Sequence, residues 1–360
     1  MKSIESAESK LASYHGVKHA LMTSRGRTAL VVALKALGVG SGDDVMLPSF
    51  CCDILAKCVE FCGARPIFAD VNPLTFNVNP QEIERNITRN TKAVLVIHCY
   101  GQPADMREIL EMAGKNNIPV IENVAHSIGA EYHGKKVGGL GHLSIFSFLK
   151  NIGCSSGGAL ATDSDDLILR AKSVLENLSA GENAISRFRY TMKRRLLGLG
   201  RGQKFLLSSL KLLSLARKFE YSATDEIPVL FGANSRMAAE VMKGLGSIDQ
   251  RNESRRRKAR VLTGLINDLK IDYIVPPFEE EDRIHVYYLY GLKFHRRTRV
   301  LKKLREIEKY TFWSLPWQCP YGSEAKELSR QLIVFEMNPE PSEKDVHLIA
   351  YALSSTSKSA

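Results

Sequence analysis

Residues 120–162, VIENVAHSIGAEYHGKKVGGLGHLSIFSFLKNIGCSSGGALAT, decide how the whole chain is read. An apolar run at 118–121 ends in the polar pair Glu122 and Asn123, and glycine-rich turns follow at 134–141. A second strand-like run, 143–148, leads into Lys150, then a Ser/Gly loop, then a third apolar run at 158–162. Open α/β sheets place ligands just beyond the carboxyl ends of their strands. Polar side chains at the ends of these runs are therefore the first candidates for chemistry. A lysine held where burial disfavours its charge becomes a nucleophilic amine, and Lys150 is that candidate.

Working upstream, strands are expected at 19–23, 45–48, 66–71 and 93–98, and helices at 3–14, 27–37, 52–62, 80–87 and 105–116. Strands that alternate with helices predict an α/β fold with a mainly parallel sheet covered on both faces. Downstream come a helix at 165–178, a basic stretch, and one long helix at 234–269 with potential breaks at Gly244 and Gly246. The remainder changes character: strands at 285–294 and 332–337, a charged helix at 298–308 and a helix at 342–353. The expected division is a large domain, 1–234, carrying a basic insert at 183–222, and a small α+β domain, 235–360, that includes the linking helix.

A length of 360 residues suits about two domains, and 44% apolar with 25% charged residues is ordinary for a globular chain. No run of 18 apolar residues occurs, so no membrane span is expected. The polar start reads as a helix rather than a signal peptide. Seven cysteines, with no CxxC pair, read as buried thiols; no metal is expected, and the cytoplasm is the expected compartment. The net charge of +11 is concentrated: between Arg187 and Lys218 stand ten Lys or Arg and no Asp or Glu. No nucleic-acid-binding motif accompanies them, so nucleic acid is not the expected partner. Residues 203–219 would make a helix apolar on most sides, with Lys204, Lys211 and Lys218 in one stripe. Such a helix either packs on the body of the protein or a dimer partner, or makes peripheral contact with an anionic membrane or a diphosphate-linked lipid.

Gly26 opens the helix at 27–37, and a helix start presents free amides and positive dipole charge that suit a phosphate. In order and spacing, 24–30 (SRGRTAL), 47–50 (LPSF), 63–71 (GARPIFADV), 98–106 (HCYGQPADM), the 120–162 stretch, 232–239 (GANSRMAA) and the C-terminal SEKDVHLIAYAL resemble the DegT/DnrJ/StrS family of sugar aminotransferases. The likeness covers almost the whole length. It implies a fold-type I, pyridoxal-phosphate-dependent enzyme, a homodimer with a shared active site, that aminates a keto group on a nucleotide-linked sugar.

Residue by residue, the resemblance implies the following. Lys150, in KNI and seven residues before the first glycine of Gly157-Gly158, matches the Schiff-base lysine. Ser147 matches a residue that helps hold the cofactor phosphate, and Gly26, Arg27 and Thr28 match the phosphate-binding helix start. Where Arg27 stands the family more often has threonine, and a guanidinium can pair with phosphate directly. Asn234 matches a residue that reaches the phosphate from the partner subunit. Cys52 takes the place of a group, commonly aromatic, that covers the cofactor ring. His126 matches a group near the ring's phenolic oxygen. Asn123 replaces an aspartate that keeps the pyridine nitrogen protonated; a neutral amide cannot offset a pyridinium charge, so the ring becomes a weaker electron sink.

Three functional readings follow. The first is a transaminase, with Lys150 shuttling a proton while an amino donor, glutamate in the family's usual pattern, converts a keto sugar. The second is other chemistry on the same cofactor and a sugar, such as dehydration. The third is a catalytically impaired cofactor-binding or regulatory protein. Trp313 and Trp317 read as core residues or as the lining of a substrate pocket.

Overall fold

The computed structural model describes residues 2–181, 231–270, 274–295, 297, 313–314, 316–317, 319–337 and 342–354. The basic stretch, with its helix at 203–219 and its proposed membrane contact at 187–218, lies outside the described residues, as does the charged helix at 298–308.

In chain order the strands are β1 (His19–Thr23), β2 (Asp44–Pro48), β3 (Arg65–Ala69), β4 (Thr91–Ile97), β5 (Val120–Asn123), β6 (Glu131–Tyr132), β7 (Lys135–Lys136), β8 (Leu143–Ser147) and β9 (Gly158–Thr162). Seven form one sheet in the order β1-β9-β8-β5-β4-β2-β3. The pairs β2–β3, β2–β4, β4–β5 and β5–β8 are parallel, and β9 runs antiparallel to both β8 and β1. The reason is length: only residues 148–157 join β8 to β9, too few for the crossover that a parallel pair requires.

The strand period sorts the core. Val45, Leu47, Ile121, Leu143, Ile145 and Leu160 face one buried layer, with helices Gly26–Ala36, Ile54–Phe61 and Asp165–Gly181. Met46, Val94, Val96, Val120, Phe146 and Ala159 face the other, with helices Lys2–His15, Met106–Lys115 and Ser235–Leu245. Strands apolar on both faces are what a sheet covered by helices demands.

Downstream, β10 (Ile274–Val275), β12 (Leu289–Phe294), β13 (Trp313–Ser314) and β14 (Leu332–Glu336) form an antiparallel sheet in the order β10-β12-β14-β13. Helices Ile248–Asp268 and Glu343–Ser354 cover it, through Leu262, Ile266, Val346 and Leu353. A small three-stranded sheet joins β11 (Arg283–Ile284) to β6 and β7. The long helix expected at 234–269 is broken at Gly246–Ser247 into Ser235–Leu245 and Ile248–Asp268. The strand expected at 285–294 begins only at Leu289. Tyr287 turns into the left-handed region (φ 47), its N–H donates to His285 Nδ1 at 2.8 Å, and Val286 N–H donates to Gly101 O at 3.1 Å.

The two large sheets are joined through Asp70, just past β3. Its carboxylate accepts from Ser49 Oγ (2.8 Å), Glu324 N (3.0 Å) and Ala325 N (3.2 Å), capping helix Ser323–Gln331. Burial opposes the charge, but these bonds outweigh it and hold the carboxyl below its ordinary range.

Candidate active site

Lys150 sits in the loop that connects β8 to β9, and its Nζ lies 2.9 Å from His126 Nε2. Burial lowers the affinity of Lys150 for its proton, while the neighbouring thiols of Cys52 and Cys99 pull the other way. His126 is held well below the ordinary histidine range, first by burial and then by the Lys150 charge. A poorly charged amine beside a neutral imidazole is chemically a nucleophile with a proton acceptor at hand. His126 Nδ1 is buried and has no hydrogen-bond partner among the described residues.

Asn123 ends β5, 7% exposed. Its Oδ1 accepts from Ala125 N at 3.1 Å, so the amide NH2 is the group it has left to offer. Glu122 lies on the opposite face, as strand alternation requires. There its carboxylate accepts from His98 Nε2 (3.0 Å), Gly138 N (2.7 Å), Leu140 N (2.8 Å) and Gly141 N (2.6 Å). Burial resists that charge, yet these donors hold the Glu122 carboxyl below its ordinary value. Glu122 thus organises the glycine-rich turn and leaves the site to Asn123.

Gly26 brings a helix start to the end of β8. A Cβ at Gly26 would lie 3.0 Å from Ser147 Cβ and 3.1 Å from Phe146 O, and one at Gly158 would lie 2.4 Å from Gly26 N. Arg27 and Thr28 occupy the first turn of that helix, with Thr28 buried and its Oγ1 3.1 Å from Ser24 Oγ. Cys52 is partly exposed; burial raises its thiol pKa, and the Ile54 amide and the Lys150 charge oppose the rise. Asn234 is exposed and caps helix Ser235–Leu245, accepting from Met237 N at 3.0 Å. Just before it, Gly232 bridges Thr23, and Ser24 N donates to Phe231 O at 2.8 Å. Lys150, His126, Cys52 and Asn123 therefore gather at one end of the sheet, beside Ser147 and the Gly26 helix start.

Sequence reasoning left an aromatic wall unassembled. The His126 ring stacks with Tyr288 (5.0 Å between centroids), Trp317 (5.6 Å) and Tyr100 (6.0 Å), and Trp317 also packs on Phe50 at 5.3 Å. Tyr100 lies in the HCYG motif that the sequence displays, but its left-handed backbone (φ 55) was not legible there. No group of three or more His, Cys, Asp or Glu suited to a metal occurs among the described residues. No helix among them is long and apolar enough to cross a membrane.

A profile of the DegT/DnrJ/EryC1/StrS aminotransferase family matches residues 2–334. The chain belongs to that family. It is an aminotransferase of the pyridoxal-phosphate-dependent, fold-type I kind. Over 95% of its length, at 29% identity, it is similar to the pleiotropic regulatory protein of Geobacillus stearothermophilus, 86% of which is covered. Over 97%, at 27% identity, it is similar to the dTDP-3-amino-3,6-dideoxy-alpha-D-galactopyranose transaminase of Aneurinibacillus thermoaerophilus, covering 89% of that chain. A shorter stretch of 167 residues is 44% identical to the GDP-perosamine synthase of Caulobacter vibrioides, 46% of this chain against 45% of that one. The solved structure of 3-amino-5-hydroxybenzoic acid synthase superposes on the whole chain with a TM-score of 0.79 at 20% identity, 92% of it being covered.

The residues present fit the cofactor. A helix N-terminus packed against Ser147 suits the phosphate, a lysine of lowered proton affinity suits the aldehyde, and the buried, unpaired His126 Nδ1 leaves a polar atom unsatisfied.

Proposed function

We propose that this enzyme transfers an amino group to the keto group of a nucleotide-linked or lipid-linked sugar, with glutamate as donor. The observation that carries this is the 2.9 Å approach of the Lys150 amine to His126 at the end of the parallel strands. The names of two long or close relatives, a dTDP-sugar transaminase and a GDP-perosamine synthase, support the sugar class.

In this reading Gly26, Arg27, Thr28 and Ser147 hold the phosphate, and Asn234 of a second copy completes its grip in a homodimer. Cys52 covers one face of the ring, His126 stands beside the phenolic oxygen, and Asn123 faces the ring nitrogen. When bound, pyridoxal phosphate supplies an aldehyde carbon for the amine and a ring that withdraws electrons. Lys150 Nζ takes the proton from the donor's Cα and returns it on the cofactor side, as base and then acid. With Oδ1 committed to Ala125 N, Asn123 offers a donor to the ring nitrogen and so favours its unprotonated form. Retention of Lys150 favours amination over dehydration. The same reading divides the chain into a cofactor-binding part, 1–234, and a smaller part, 235–360, and places the enzyme in the cytoplasm.

The test is to incubate the purified protein with glutamate and a panel of keto-sugar nucleotides, reading 2-oxoglutarate and the product mass. Release of 2-oxoglutarate with an amino sugar is expected; none with any member of the panel overturns the proposal. A second reading, a cofactor-binding protein with little turnover, is favoured by Asn123 alone. Asn123→Asp separates the two, because a gain in transamination shows a competent scaffold.

A further inference from the structure

Arg255, on helix Ile248–Asp268, is a fully buried guanidinium that grips two asparagines at once. Its Nη1 donates to Asn151 Oδ1 and to Asn252 Oδ1, each at 3.1 Å. Each asparagine passes the grip onward through its amide NH2. Asn151 Nδ2 donates to Ala125 O at 3.2 Å, and Asn252 Nδ2 donates to Ile128 O at 2.9 Å. Those two carbonyls stand on either side of His126, and Asn151 directly follows Lys150. One guanidinium therefore ties the turn that carries the imidazole to the loop that carries the amine.

Both asparagines are buried, Asn151 at 0% and Asn252 at 5% exposure. The fit around Asn252 is close: Gly129 has φ 89, and a Cβ there would fall 2.5 Å from Asn252 Nδ2. Arg255 Nε also donates to Met337 O at 3.1 Å, just past β14, so the clamp is anchored in the C-terminal sheet. The clamp matters because neither 124–129 nor 148–157 is held by a strand ladder over its full length. A lysine side chain loses rotamer freedom when it is fixed, and it stays in one place only if its backbone and its contact are fixed too.

We propose that Arg255, Asn151 and Asn252 are positioning residues for Lys150, which by clamping the two segments together set its contact with His126 and hence the reactivity of the amine. This rests on the reading of Lys150 as the reacting amine. The clamp acts on the His126 turn through the backbone carbonyls of Ala125 and Ile128.

The experiment measures the amine itself, on full-length cofactor-free protein. Wild type, Asn252→Ala and Arg255→Lys, all changed without adding a negative charge, are exposed to trace acetic anhydride at stepped pH. Labelling of Lys150 is read by peptide mass, with exposed Lys115 as the internal standard. In both variants the Lys150 midpoint is expected to rise by about one pH unit, making the amine roughly tenfold less reactive at neutral pH, with Lys115 unchanged. A midpoint equal to wild type in a variant of lowered thermal stability overturns the proposal, since a merely structural role predicts that result. Should Asn252→Ala not fold, Arg255→Lys, which keeps the charge but loses the fork, carries the test alone. Borohydride reduction of the loaded protein that marks another lysine would remove the reading of Lys150, a result distinct from any change in labelling.

Discussion

Lys150 Nζ and His126 Nε2 stand 2.9 Å apart, and both groups are driven towards their neutral forms by burial. A neutral imidazole can accept a hydrogen bond from the uncharged amine, so that neither group sets a charge against the wall of Tyr100, Tyr288 and Trp317. His126→Asn is expected to slow turnover by about a hundredfold, within the range of a lost proton-transfer partner. Borohydride reduction should still mark Lys150 in that variant, which peptide mass mapping checks. Lys150→Ala should abolish both turnover and the mark.

Asn123→Asp restores a carboxylate where Oδ1 already accepts from Ala125 N. The second carboxylate oxygen would then stabilise a protonated ring nitrogen. The half-reaction with glutamate is expected to accelerate about tenfold or more, followed as a change in cofactor absorbance on rapid mixing.

Gly244 lies against Ile152, in the loop that carries Lys150; a Cβ there would come 1.9 Å from Ile152 Cγ2. Gly244→Ala should cost about 1–3 kcal/mol of stability by overpacking, seen in urea unfolding. Adding Ile152→Ala should recover part of that loss, and a double-mutant cycle measures the coupling.

Two further histidines set the response to acid. Burial pulls His15 from 6.5 down to about 4, against the bond its Nδ1 makes to Val137 O. Burial, with the Arg256 charge adding to it, takes His285 down to about 3. Both folded values lie below the unfolded one, so as pH falls beneath 6.5 the unfolded chain binds more protons and stability drops. For His15 the loss runs from about pH 6.5 to about pH 4 and amounts to roughly 3 kcal/mol. Melting temperature should fall continuously over that window, and His15→Gln should flatten the decline.

What the sequence displayed was governed by short-range pattern. Apolar runs alternating with helices located the large sheet's strands, and the Ser/Gly stretch after Lys150 located the loop between β8 and β9. Strand alternation also turned Glu122 away from Asn123, where the glycine-rich turn receives it. The pattern misjudged the strand before β12, because the left-handed turn at Tyr287 answers to Gly101, distant in sequence. The aromatic wall and the Arg255 fork were hidden for the same reason. Arg255 lies 104 positions from Asn151, and in sequence it is one basic residue in the run RRRKAR.

The reversed direction of β9 leaves the amine on a very short leash. The chain must turn back within residues 148–157, and that turn is closed by Phe148 N to Gly157 O at 3.1 Å and Cys154 N to Phe148 O at 3.0 Å. A tether this short limits how far the amine can travel, while Trp317 and Tyr288, which stack on His126, are borne by the later part of the chain.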